Sequence, residues 1–269
     1  MRRKRLFSLV TLILTLAVAL ALLLRRDKAI PAIRFVEPDK LFRAVEANVR
    51  GGSDFEVIVD IDHARLAAKA GSAMPPSHVL IWSDPELEAA ILKHNPLAAI
   101  DLPLRILAYE DQKTGKAAVI YNSYAFVRWR HALPEDRVLR ESYESAFSKA
   151  TQGIPESAMR KFSSDAMPDA GLVTLTSPHD FEGTEKRVRA AIHAQSDTVD
   201  FGQVDFATRS KAHGVELPRL RLILFGGPGP GGKAMASAPT LGLDAFCQKL
   251  LVWQDDDGTV FVTFNDLMA

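Results

Sequence analysis

One cysteine, Cys247, stands in 269 residues, so no internal disulfide can form and a disulfide scaffold is excluded. Net charge is also missing, because 33 Lys and Arg balance 33 Asp and Glu. Beyond residue 28 there is no basic run, which removes the electrostatic footprint of a DNA or RNA binder and makes nucleic acid an unexpected partner. His78, His94, His131, His179, His193 and His213 show no His-x-x-x-His spacing, and neither a metal nor a cofactor is expected. The Gly-x-Ser-x-Gly elbow of serine hydrolases is absent as well. With 47% hydrophobic and 25% charged residues, the composition is that of a globular chain long enough for one large domain or two of about 100 residues.

Leu6 to Leu24 is the one long apolar run, 19 residues whose only polar members are Ser8, Thr11 and Thr15. At 1.5 Å per residue it reaches about 28 Å, close to the hydrocarbon thickness of a bilayer. Residues 1–28 carry seven basic side chains against Asp27, whereas the rest carries 26 against 32. An apolar run flanked by Arg2-Arg3-Lys4-Arg5 and Arg25-Arg26 predicts an uncleaved signal anchor with the N-terminus in the cytoplasm. Cleavage after Ala19-Leu20-Ala21 is the alternative. In a bacterium, this orientation places the body in the periplasm, attached to the inner membrane as a single-pass protein.

Displacing the body against itself by 143 residues pairs Asp62 with Asp205, Gly71 with Gly214, Pro85 with Pro228, Pro96 with Pro239 and Asp101 with Asp244. After a one-residue insertion, Ile106-Leu107 meets Leu250-Leu251; once it closes, Gly115 meets Gly258 and Asn122 meets Asn265. Twelve identities result, where chance gives about four. They fall on cap and turn residues, as a shared backbone requires.

Each copy reads as an extended piece (Ile33 to Val36; Leu172 to Leu175), a helix (near Asp39 to Val49, with Leu41, Val45 and Val49 on one face; near Phe181 to Ala194), then a strand ending at an Asp cap. A short helix, an apolar strand, a further helix and a hairpin follow. The expected fold is α/β of the α+β type: two tandem two-layer sandwiches, each a mainly antiparallel sheet with helices on one face. The divisions are 1–28 for the anchor, 29–131 for the first repeat, 132–170 for a helix and linker, and 171–269 for the second repeat. Leu139, Tyr143, Ala146, Phe147 and Ala150 form the helix stripe within 132–170, and residues 154–170 read as linker.

Ile61-Asp62-His63-Ala64, Asp101-Leu102-Pro103-Leu104, Tyr109-Glu110-Asp111 and Tyr121-Asn122 in the first copy resemble the family catalogued as domain of unknown function 302. The second copy carries the complement, Phe225-Gly226-Gly227-Pro228 with Gly232 and Met235, but has Phe206 in place of the His. The resemblance implies a compact α/β unit that forms dimers in single-copy relatives, a tandem chain that is a covalent pseudo-dimer, and no assigned activity.

His63, Asp101, Glu110, Asn122, Gly226, Gly227 and Met235 are therefore the candidate binding residues, set in one composite pocket between the copies. Independent drift of two redundant copies explains the same division of motif residues. Asp62-His63 also reads as an acid/base pair, or as a cap followed by a packed histidine, and Glu110-Asp111 as paired carboxylates or a hairpin rim. The run from Gly227 to Ala234 mimics a phosphate loop, yet its prolines and the missing Ser or Thr favour a flexible strand-to-helix turn. The expected function is a membrane-anchored, non-enzymatic module for a small ligand or an envelope partner, with homo-oligomers possible. An acid/base hydrolase using His63 and a structural assembly domain are the alternatives.

Overall fold

Asp62 and Asp205 do the same local job: Asp62 Oδ1 accepts the Arg65 N–H at 2.8 Å and Asp205 Oδ1 accepts the Thr208 N–H at 3.0 Å. Each starts a short helix at the end of a strand, because a carboxylate at the N-cap satisfies a backbone donor that the helix leaves free. Gly71 and Gly214 then leave those helices at φ of 77° and 73°, a backbone region that side chains disfavour. The computed structural model describes residues 34–268. The expected anchor at Leu6 to Leu24 and the start of the first extended piece lie outside them. Among the described residues, no helix is long and apolar enough to cross a membrane.

The first repeat runs α1 (Val36–Gly51), β1 (Glu56–Asp62), α2 (His63–Lys69), β2 (Ser77–Ser83), α3 (Pro85–Leu92), a 3-10 turn (Pro96–Asp101), β3 (Leu104–Asp111) and β4 (Lys116–Asn122). Then α4 (Tyr124–Arg130), α5 (Arg137–Ala150) and β5 (Met159–Phe162) lead to the second repeat. That repeat runs β6 (Leu172–Ser177), α6 (Phe181–His193), β7 (Val199–Asp205), α7 (Phe206–Lys211), β8 (Leu220–Gly226), α8 (Pro228–Met235), a 3-10 turn (Pro239–Leu243), β9 (Gln248–Gln254) and β10 (Val260–Asn265). The sheets are ordered β1-β2-β3-β4-β5 and β7-β8-β9-β10-β6, and every pair is antiparallel except β4 with β5. Even the irregularities match. The bulge of β1 falls at Ile58 and that of β7 at Phe201, again 143 residues apart.

Alternation along the strands gives the first sheet two buried faces, and the second a buried inner face and a partly covered outer one. Leu80, Trp82 and Ile106 face outward beneath α1 and α5, while Val79, Ile81, Arg105 and Leu107 face the other repeat. In the second sheet, Ile223 and Val252 face α6, and Leu222, Leu224, Lys249 and Leu251 face the first repeat. The two inner faces share one apolar cluster across the seam. The two tandem α+β units therefore pack sheet to sheet, each sheet burying its inner face on its twin.

Three sequence expectations are corrected. Val36 opens α1 instead of closing a strand, and Phe42, with Val45 and Val49, is buried where Leu41 is only half-buried. Residues 159–162 are not linker but an edge strand beside β4. The glycine-rich run is not a flexible turn: Pro228, at the first helical position, starts α8.

Candidate functional site at the seam between repeats

The pseudo-symmetry brings two charged strand residues to equivalent places. Arg105 of β3 and Lys249 of β9 each project from an apolar strand, and each meets the Asp of the opposite repeat. Arg105 Nη1 donates to Asp244 Oδ1 at 3.1 Å, and Lys249 Nζ lies 2.6 Å from Asp244 Oδ1 and 3.9 Å from Asp101 Oδ1. Asp101 has no exposed side-chain surface. Arg130 Nη1 grips both its oxygens, at 2.9 and 3.1 Å, and His131 Nε2 sits 2.6 Å away. Burial opposes ionisation of Asp101, but Arg130, His131 and Lys249 outweigh it and hold the carboxyl well below the usual range. Asp244 is lowered likewise: burial opposes, and Lys249 with Arg105 prevails. Burial, aided by repulsion from Arg105, lowers the Lys249 ammonium. Asn122 Nδ2 donates to Asp244 Oδ2 at 3.0 Å, and Asn265 Oδ1 accepts from Arg130 Nη2 at 2.9 Å. The paired Asp and Asn positions of the repeat are thus one cluster that ties the two halves together.

At one end of the seam α2 packs on α8. His63 is 5% exposed and its Nε2 lies 3.0 Å from the Gly242 carbonyl oxygen, so it donates as the neutral ring. Burial pushes its pKa down to about 4, only partly offset by that hydrogen bond. A side chain at Gly242 would meet His63 Cδ2 at 2.8 Å, and one at Gly232 would meet Ala67 Cβ at 2.4 Å. The glycines of α8 therefore serve close helix approach rather than phosphate binding. His63, Gly226, Gly227 and Met235 do line one crevice, but its volume is about 10 Å³, room for roughly one water.

At the other end α3 packs on α7, and the equivalent positions hold different chemistry. Phe206 replaces His63, Ser83 replaces Gly226 and Glu88 replaces Gly231. Ser83 Oγ donates to Glu88 Oε2 at 2.7 Å and accepts from Arg209 Nη2 at 2.8 Å. Burial raises the Glu88 carboxyl to about 8.

Of the seven candidate residues, the structure gathers four in the small crevice and places Asp101 and Asn122 in the central cluster. Glu110 stands apart at the far end of β3, beside Asp111, which accepts the N–H groups of Lys113 and Thr114 in the hairpin turn. His63 is not brought to Asp101, Glu110 or Asn122. Cys247 is buried, and burial raises its thiol to about 11. Sequence reasoning missed Arg105, Arg130, His131, Lys249 and Glu88. Among the described residues, no group of three or more His, Cys, Asp or Glu is placed to hold a metal ion. Two larger recesses, of about 360 and 300 Å³, flank Asp244 and Asn265 at the surface.

A family model described as "Domain of unknown function DUF302" matches residues 33–150 and 173–269. Fluoride-specific ion channel FluC 1 of Brucella suis biovar 1 (strain 1330) is 39% identical over 98 residues, 36% of this chain and 38% of that protein. Fluoride-specific ion channel FluC 2 of Brucella melitensis biotype 1 is likewise 39% identical over 98 residues, 36% of each chain. The match thus spans little more than a third of the length of these curated relatives. The crystal structure of an uncharacterized conserved DUF302 protein from Bacillus stearothermophilus is similar over 35% of this chain and 73% of that one, with 14% identity and a TM-score of 0.32.

Proposed function

This chain belongs to the DUF302 family in a two-copy form, and we propose that it is a non-enzymatic, membrane-anchored module that presents its body outside the cytoplasm to an envelope partner. The observation that carries this reading is the seam. Acid/base chemistry needs groups free to reach a substrate, yet His63 is spent on the Gly242 carbonyl and Asp101 on Arg130, His131 and Lys249. The crevice beside His63 has no room for a substrate. A hydrolase centred on His63 has no support from this geometry, whereas a rigid double unit with recesses on its surface suits binding.

Two further points support attachment to a membrane. The apolar run Leu6 to Leu24 has the length and basic flanks of an anchor. A stretch similar to part of this chain also occurs in proteins named as fluoride-specific ion channels.

The test is topology. A reporter active only outside the cytoplasm, fused after Ala269, is expected to be active, and the protein is expected to stay with membranes through a high-salt wash. A silent reporter, or a soluble chain with a new N-terminus near Leu22, would overturn the anchored reading.

A further inference from the structure

The outer faces of the two sheets are equivalent in backbone but not in cover. In the first repeat, Trp82, Ile106 and Tyr121 are buried at one end of the sheet. Their cover is α5: the Phe147 ring stacks on Tyr121 at 4.3 Å and meets Trp82 edge-on at 5.2 Å, and the Tyr143 hydroxyl donates to the Asn122 carbonyl at 3.0 Å. The register places Phe225, Leu250 and Phe264 at the equivalent positions of the second sheet. There α6 packs on Ile223, Val252 and Val260, further along. Phe225, Leu250 and Phe264 stay half-buried and, with Val173, line the recess of about 360 Å³. Among the described residues, no helix lies where α5 would lie.

We propose that this bare face docks an amphipathic helix of the envelope partner, one that carries an aromatic and aliphatic stripe at i, i+4 spacing and a basic flank. The stripe follows from the twin face, since the same backbone with the same kind of side chains already takes the Leu139, Tyr143, Phe147 stripe of α5. The basic flank follows from charge. Of the two carboxylates that line the recess, Asp244 is already paired with Arg105 and Lys249, and Asp266 has no cation within salt-bridge distance among the described residues. A lining of this kind favours Lys or Arg beside the stripe.

This inference rests on the reading of the protein as a partner-binding module, but its test is independent of the membrane topology. The probe is a fluorescein-labelled peptide of residues 134–152 in which Glu135, Glu141 and Glu144 are replaced by Gln and Asp136 by Asn, so that Arg137, Arg140 and Lys149 flank the α5 stripe without opposing carboxylates. Titrated with the full-length chain, it should show saturable anisotropy, weakened tenfold or more by Leu250→Glu with Phe264→Glu. Both substitutions are at half-buried positions, and an unchanged near-UV spectrum checks that the variant is folded. The same peptide with Tyr143→Ser and Phe147→Ser should not bind. Equal binding to the double variant, or no saturable binding at millimolar concentration, would overturn the proposal. So would a double variant that loses only adhesion to phosphatidylglycerol vesicles, which assigns the face to lipid, or only a concentration-dependent dimer, which assigns it to a second copy.

Discussion

The two ends of the seam are built on one backbone and filled with opposite chemistry. At the α2–α8 end a neutral histidine, three glycines and a methionine pack without charge; at the α3–α7 end Ser83, Glu88 and Arg209 form a buried polar chain. Each end takes one helix from each repeat, so the residues that complete a motif are partners across copies rather than within one. His63 of the first copy and Gly226 of the second belong to the same end, and Phe206 and Ser83 to the other. A fused pair is free to differentiate its ends because a substitution no longer appears twice.

The contrast holds only while the centre keeps both ends in register, and breaking the centre should have the largest effect. Asp101→Asn leaves Arg130 and Lys249 buried beside a neutral amide, and should cost about 3–5 kcal/mol in urea unfolding. Gly232→Val tests the glycine end alone. Its side chain has no room against Ala67, and a loss of about 3 kcal/mol is expected, whereas the equivalent residue of the other end, Ala89, already carries a Cβ within its helix contacts.

A finer test is pH, because the ends should respond with opposite sign. Glu88 has a folded pKa of about 8 against a reference of 4.5, so its contribution is full below pH 4.5 and is lost as pH rises toward 8. His63 has a folded pKa of about 4 against 6.5, so its contribution is full above pH 6.5 and is lost as pH falls toward 4. Integrated over these ranges, the change is on the order of 5 kcal/mol for Glu88 and on the order of 3 kcal/mol for His63. Urea midpoints measured from pH 4 to 8 should lose the alkaline decline in Glu88→Gln and the acid decline in His63→Ala. A variant that alters the other's slope would show that the ends are not separate.

What was legible in the sequence was local. Asp62 and Asp205 announce caps, and Gly71 and Gly214 announce turns at matched positions of the repeat, because each acts through its own backbone. The strand β5 was not legible, since four residues, three of them exposed, show no alternation that separates them from a linker. Helix α8 was expected, but with its start beyond the glycine-rich run: the glycines and prolines of that run lower intrinsic helix propensity, and the contact with α2 that favours them lies about 160 residues away. Arg105 and Lys249 had a readable signal. Each is the single basic residue of a largely apolar strand, at matched positions of the repeat, with an Asp at a matched position before it. Glu88 had none, because its twin is Gly231.

The seam as a structural joint is tested most directly by the thermal midpoint of His63→Ala against wild type at pH 7. Removing the imidazole leaves the Gly242 carbonyl without its donor and opens a gap beneath it, a loss of about 2 kcal/mol. For a chain of this size that lowers the midpoint by about 4–8 °C. An unchanged midpoint, together with loss of partner binding, would contradict the structural joint and return His63 to a functional role.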